Sequence, residues 1–323
     1  MAYSNEVVRR ARRRLESNKA DHDSLQQARL QEIYARLPRV WAIDKQLRHS
    51  MALAAQAAFL QGGTDAMDQI KEANLALQAE RKELISANFP DEYLDESPIC
   101  NHCGGSGYIG SHMCSCLLEL CREEQKKELS LLAASSASFS QFRLDYYPEA
   151  VDPKFGASPR VIMGKILDIC RKYAANFSAD SGNLLFNGGT GLGKTFLSAC
   201  IAQEVAGKGF SVAYESAQHL FAKFERDRFH PDEESAAAVQ HLDRCDLLIV
   251  DDLGTELPGN FTTAALYNIV NDRLLAGKPM IISTNLNIGE IYERYSPQIA
   301  SRLQGSFQLL PFVGQDIRVL KNK

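Results

Sequence analysis

The chain has 323 residues, 45% of them hydrophobic, and its 36 lysines and arginines are outnumbered by 40 aspartates and glutamates, a net charge of −4. That length suits about two domains, and the apolar share is enough to bury a full core. The acidic balance excludes a uniformly basic nucleic-acid coat while leaving room for a local basic patch.

The opening MAYSNEVVRRARRRLESNK has charges where an export signal needs an apolar core. No apolar run approaches the roughly 18 residues that cross a bilayer. A soluble, cytoplasmic protein without a membrane partner is expected. Residues 1–97 read as a helical region, poor in glycine and β-branched residues. Ile33 and Leu37, then Ile43 and Leu47, are spaced i,i+4 on either side of Pro38, which should break the helix. The alanine-rich stretch from Met51 to Leu60 is interrupted at Gly62-Gly63, and Asp65 to Ala87 resumes the helical pattern. The run Arg9, Arg10, Arg12, Arg13, Arg14 reads first as a solvated helix face and second as a phosphate contact.

Five of the eight cysteines fall between Cys100 and Cys121, inside a small module over residues 98–121. Without an export signal a disulfide framework is disfavoured, so the cluster reads as a metal site. Cys100-x-x-Cys103 and Cys114-x-Cys116 offer four thiolates in two pairs joined by a glycine-rich loop. That suits a tetrahedral, structural Zn²⁺. The second pair has one spacer residue instead of the commoner two, and His102, His112 and Cys121 are alternative ligands. Residues 122–140 follow as a charged helix, Arg122 to Leu132, and a linker, Ser135 to Ser140.

The last region, 141–323, changes character from about Ala150. Short apolar runs (NLLFNG, SVAYES, DLLIVDD, PMIISTN) alternate with helical spacing. This is the pattern of βαβ units around a parallel sheet, an α/β fold. Within it, Gly188-Gly189-Thr190-Gly191-Leu192-Gly193-Lys194-Thr195 fits the phosphate-loop pattern G-x-x-x-x-G-K-[ST], between strand-like Asn183–Phe186 and helix-like Phe196–Ala206. Glycines let such a loop turn backbone N–H groups inward around a phosphate, and the helix N-terminus adds positive potential. Lys194 should reach the β- and γ-phosphates of ATP, and the Thr195 hydroxyl should ligate Mg²⁺.

Leu247 to Asp252 is a buried-strand pattern ending in two acids. Asp251 there suits the Mg²⁺ side of the site, and Asp252 suits a general base on the attacking water. Turn formation is the plainer reading of the pair. Asn285, closing the strand-like run from Pro279, could sense the γ-phosphate or simply form a turn. Arg302, in the helix-like Ile299-Ala300-Ser301-Arg302-Leu303, is either a surface arginine or a guanidinium lent to a neighbouring subunit's γ-phosphate. Tyr146 and Tyr147 could stack on a base or pack in the core.

Taken in order, FSQFRLDYYP, NLLFNGGTGLGKTFLSACIAQEV, SVAYESAQHL, LLIVDDLG, IISTNL, SRL and GQDIRVLK resemble the AAA+ ATPases of the DnaC/DnaI helicase-loader group, which includes the IstB-like transposition helpers. The resemblance implies an AAA+ core without the C-terminal helical lid, since only a short stretch follows Arg302. It implies an arginine finger at Arg302, acting in trans within an oligomer, and a conformation-sensing arginine at Arg318. The family's N-terminal zinc modules carry a similar cysteine pattern, which supports Cys100, Cys103, Cys114 and Cys116 as the zinc ligands.

Also implied are a DnaB-type hexameric helicase bound by residues 1–97, and single-stranded DNA, for which Lys223, Arg226 and Arg228 are candidate contacts or else a solvated helix face. Many AAA+ proteins have Asp-Glu where this chain has Asp251-Asp252. The side chain shorter by one methylene suggests a slow, partner-regulated ATPase. An ATP-dependent helicase loader is therefore expected. The alternatives are an ATPase helper of a transposase and a nucleotide-gated adaptor that does not hydrolyse ATP.

Overall fold

The computed structural model describes residues 3–57, 64–132 and 137–321, so the Gly62-Gly63 interruption and part of the expected linker lie outside the described residues. The chain divides into two compact units, one of residues 13–114 and one of residues 1–12 with 115–323.

The smaller unit holds most of α1 (Asn5–Arg36), together with α2 (Pro38–Ala57) and α3 (Thr64–Ser86). The break falls where Pro38 predicts it. The Leu37 amide closes the last turn of α1 on the Ile33 carbonyl, and proline, with no N–H to satisfy, starts α2. Buried Ile33, Val40 and Phe89 form its core, and Phe89 stacks on Tyr93 with ring centroids 4.9 Å apart. A two-residue hairpin, β1 (Tyr108–Ile109) and β2 (His112–Met113), follows.

The larger unit contains α4 (Ser115–Leu132), which begins seven residues before the expected helix, at the second cysteine pair. Next come α5 (Pro159–Ala175), β3 (Asn183–Asn187), α6 (Lys194–Gly207), β4 (Val212–Ser216), α7 (Ala217–Phe229) and α8 (Glu233–Arg244). The chain continues with β5 (Leu247–Leu253), α9 (Asn260–Leu275), β6 (Met280–Thr284), α10 (Ile288–Arg294), α11 (Pro297–Ser306), β7 (Phe307–Pro311) and α12 (Ile317–Lys321). Strands β3 to β7 form one parallel sheet in the order β4-β5-β6-β3-β7.

Both faces of the sheet are covered, which is why its strands are apolar runs without polar alternation. Leu184, Phe186, Leu247 and Ile249 face α5 and α6, whereas Leu185, Leu248, Val250 and Ile282 face α7, α9 and α11. The helix after β3 therefore lies on one face, and the helices after β6 lie on the other. Strands β3 and β6 are neighbours, so a crevice opens between the connections that leave their carboxyl ends, the place where such sheets bind ligands. No described helix is long and apolar enough to cross a membrane.

Candidate functional site

The loop from Gly188 to Gly193 leaves β3 at that crevice and runs directly into α6. Gly188, Gly191 and Gly193 have φ of +152°, +71° and +92°, values that side-chain-bearing residues rarely adopt. A Cβ on Gly188 would stand 2.3 Å from the Phe312 carbonyl oxygen, so the loop is pressed against the chain beyond β7. Lys194 opens α6 with its side chain buried, and its ammonium donates to the Gly188 and Gly189 carbonyls, both at 2.7 Å. Burial lowers its pKa, opposed by the charges of Asp252 and Asp251. Thr195 is the next residue, half-buried in the first turn of α6.

The two acids sit at the end of β5, where its register with β6 shifts between Val250 and Leu253. Asp252 takes φ of +56° at this irregularity, a left-handed conformation that aspartate tolerates better than most residues. Asp251 points inward and is buried, while Asp252 is exposed. Burial of its carboxyl group and the neighbouring Asp251 charge raise the pKa of Asp252, against Lys194 and Arg318. A raised pKa suits it to accepting a proton.

The intervening strand joins loop and acids. The Gly188 amide donates to the Thr284 carbonyl at 3.2 Å, and the Thr284 hydroxyl donates to the Leu253 carbonyl at 2.7 Å. The Ser283 hydroxyl accepts from the Asp252 amide at 2.9 Å and donates to Asp251 Oδ1. Tyr214 of β4 completes the set, its hydroxyl donating to Asp251 Oδ2 at 2.9 Å. Tyr214 and Ser283 are the site residues that sequence reasoning missed. No motif names them, and only the adjacency of β4 and β6 to β5 brings them to Asp251.

Asn285 follows β6 with an exposed side chain. At the other end of the chain, the Ile317 amide at the start of α12 donates to the Gly191 carbonyl at 3.0 Å. This puts Arg318 close enough to act electrostatically on both Lys194 and Asp252. Tyr147 lies beneath the loop, 1% exposed, its hydroxyl donating to the Leu192 carbonyl at 2.9 Å. It is a core residue supporting the loop, and not a base-stacking platform.

Arg302 is held within its own chain. Its guanidinium lies 4.5 Å from the Tyr267 ring centroid and donates to the Tyr267 hydroxyl at 2.9 Å and to Asn271 Oδ1 at 2.8 Å. Of the three candidate DNA contacts, Lys223 pairs with Glu215 and Arg226 pairs with Asp232 and Glu234, while Arg228 lies over Phe229 and Phe261. A cleft of about 580 Å³ opens beside β4, and Arg9, Glu128, Tyr214 and His241 are among the residues lining it.

These features suit a nucleoside triphosphate with its metal: a glycine-built anion cradle, an ammonium at its floor, a helix N-terminus, and a buried carboxylate facing the Thr195 turn. The sequence model of the IstB-like ATP binding protein family matches residues 167–299, a span that includes the loop, both acids and Asn285. This segment is an IstB-like ATP-binding domain.

The domain is homologous to that of the helicase loaders. The replicative helicase loader DnaC of Escherichia coli K12 is 22% identical over 138 residues, 43% of this chain and 56% of the relative. A putative insertion sequence ATP-binding protein of Sinorhizobium fredii is 30% identical over 149 residues, 46% of this chain and 48% of the relative. The chain spans about half the length of these curated relatives. Among solved structures, the DnaC helicase loader aligns with 55% of this chain and 97% of its own at a TM-score of 0.47 and 19% identity. DnaI aligns with 58% and 94% at 0.46 and 19%. The IstB-like domain forms most of a parallel five-stranded sheet flanked by helices.

A second candidate site is the cysteine cluster. The ligand atoms of Cys100, Cys103, Cys114 and Cys116 all lie within 4.8 Å of one another, and Cys100 Sγ and Cys114 Sγ are 3.7 Å apart. A tetrahedron with Zn–S bonds of about 2.3 Å has edges of about 3.8 Å, so the donor set fits zinc. Gly104, Gly105 and Gly107 take positive φ as the first pair turns toward the hairpin, and the Cys114 amide donates to the Gly107 carbonyl at 2.8 Å. His102, His112 and Cys121 stand outside the group, and burial pushes the Cys121 thiol up to about 11.

Proposed function

We propose that this protein is an ATP-switched helicase loader: it binds a DnaB-type hexameric helicase, delivers it to single-stranded DNA, and changes state on hydrolysis. The observation that carries the reading is the stitching of phosphate loop to acid pair through β6, in a domain homologous to that of DnaC. In this reading Lys194 leaves the loop carbonyls for the β- and γ-phosphates. Thr195 and Asp251 hold the Mg²⁺ side of the site, and the ion supplies charge neutralisation on the phosphate oxygens. Asp252 orients and deprotonates the attacking water, while Asn285 contacts the γ-phosphate. Arg302 swings from Tyr267 and Asn271 to a neighbouring subunit's site, and Arg318 couples α12 to nucleotide state. Cys100, Cys103, Cys114 and Cys116 hold a structural zinc, and residues 1–97 contact the helicase.

A second reading, an ATPase helper of a transposase, is favoured by the family match and by relatives in insertion sequences. Purified chain offered separately to a DnaB-type helicase and to an IS21-type transposase, with and without ATP, distinguishes the two. ATP-dependent capture of the helicase is expected, and ATP-dependent capture of the transposase alone would reverse the assignment. Asp252→Asn separates a switch from a non-hydrolysing adaptor. The switch is trapped in its ATP-bound complex, whereas an adaptor is unaffected.

A further inference from the structure

Asp251 is a buried carboxylate, 5% exposed, and among the described residues it makes no ion pair. Its two oxygens instead accept from two neutral hydroxyls, Oδ2 from Tyr214 and Oδ1 from Ser283. A buried carboxylate held only by neutral donors keeps most of its desolvation cost, so it favours any cation that arrives beside it. Each hydroxyl occupies one lone pair per oxygen, which leaves the remaining lone pairs aimed by β4 and β6.

The Tyr214 hydroxyl also lies 3.4 Å from the Thr195 carbonyl, at the turn that carries the other metal-side hydroxyl. Ser283 binds the amide of Asp252 with the same oxygen that serves Asp251, so one hydroxyl sets both acids.

We infer that Tyr214 and Ser283 are positioning residues for the metal side of the nucleotide site, fixing the Asp251 carboxylate from β4 and β6. The inference rests on the ATP-binding reading above and adds to it the groups that orient the metal-side acid. Neither residue touches nucleotide. Each acts through Asp251, so removing one hydroxyl weakens the metal-dependent part of binding and spares the phosphate loop.

The test measures binding of a fluorescent ATP analogue to the full chain, first in EDTA and then across a Mg²⁺ titration, alongside steady-state turnover. Tyr214→Phe removes only the hydroxyl. Its affinity in EDTA is expected to stay within about twofold of wild type. The Mg²⁺ concentration for half-maximal binding should rise about 10- to 100-fold, the usual weight of a hydrogen bond to a charged group. Turnover should fall through kcat more than through KM for ATP. Ser283→Ala, which keeps the strand and loses the hydroxyl, is expected to behave alike.

A Tyr214→Phe titration that overlays wild type overturns the assignment, as does a loss of affinity in EDTA equal to the loss in Mg²⁺, since that marks a merely structural residue. If Tyr214→Phe proves unstable, Ser283→Ala decides by the same criteria. Wild-type protein that binds no nucleotide under either condition overturns both this inference and the reading beneath it. Active wild type with indifferent variants overturns this inference alone.

Discussion

At the scale of single residues, the site divides into groups that grip and groups that react. Lys194 sits at the floor of the loop with its charge already held by two carbonyls, so Lys194→Ala removes the only side-chain cation in the phosphate loop. ATP affinity is expected to fall at least about 50-fold by equilibrium binding, while the thermal midpoint changes little. Gly188 tolerates no Cβ, because backbone and not a yielding side chain stands 2.3 Å away. Gly188→Ala should lower both stability and ATP affinity, and a variant matching wild type in both would contradict the packing described.

Legibility at this scale followed sequence distance. The loop, the acid pair and the four cysteines were readable because each is a contiguous or short-spaced pattern. Tyr214 and Ser283 were not, because their meaning lies in contacts across 37 and 32 positions of sequence. Arg302 stands out in the sequence only through the family resemblance, and its partners within the chain, Tyr267 and Asn271, are not legible there.

Among the elements, the helices end and begin where local chemistry dictates. Ser216 caps α7 by accepting from the His219 amide at 3.2 Å, and Ser216→Ala should cost about 1 kcal/mol in denaturant unfolding. Asp232 caps α8, and its carboxyl is held down to about 2 by the Ser235 amide first and then by Arg226. A depressed carboxyl stabilises the fold above its unfolded pKa of about 4 and loses that contribution as pH falls toward 2. Asp232→Asn should therefore lower stability in the neutral region and flatten the acid limb between about pH 4 and pH 2, the two profiles converging near pH 2.

In the proposed reading, the cysteine module depends on its ligand set more than on apolar packing. Chelation, or Cys103→Ser, is expected to loosen the segment around 98–116, read as faster hydrogen exchange there with the parallel sheet still protected. Uniform protection after chelation would argue against zinc. The strands and most helices could be read from apolar runs, but the order β4-β5-β6-β3-β7 could not, since periodicity carries no information on which strand crosses to which neighbour.

For the molecule as a whole, in the proposed reading one chain holds ATP between the loop after β3 and the acids after β5, and hydrolysis resets its partners. Arg302 tests the collective part. In an assembled complex Arg302→Ala should lower turnover about 100-fold or more while leaving the ATP affinity of the single chain intact. Equal turnover would confine Arg302 to its bonds with Tyr267 and Asn271.

The most direct measurement is equilibrium binding of ATP with Mg²⁺ to the full chain, wild type against Lys194→Ala. Micromolar or tighter binding that disappears with the lysine is the predicted result. No measurable binding by wild type, or binding that survives the substitution, would contradict the account.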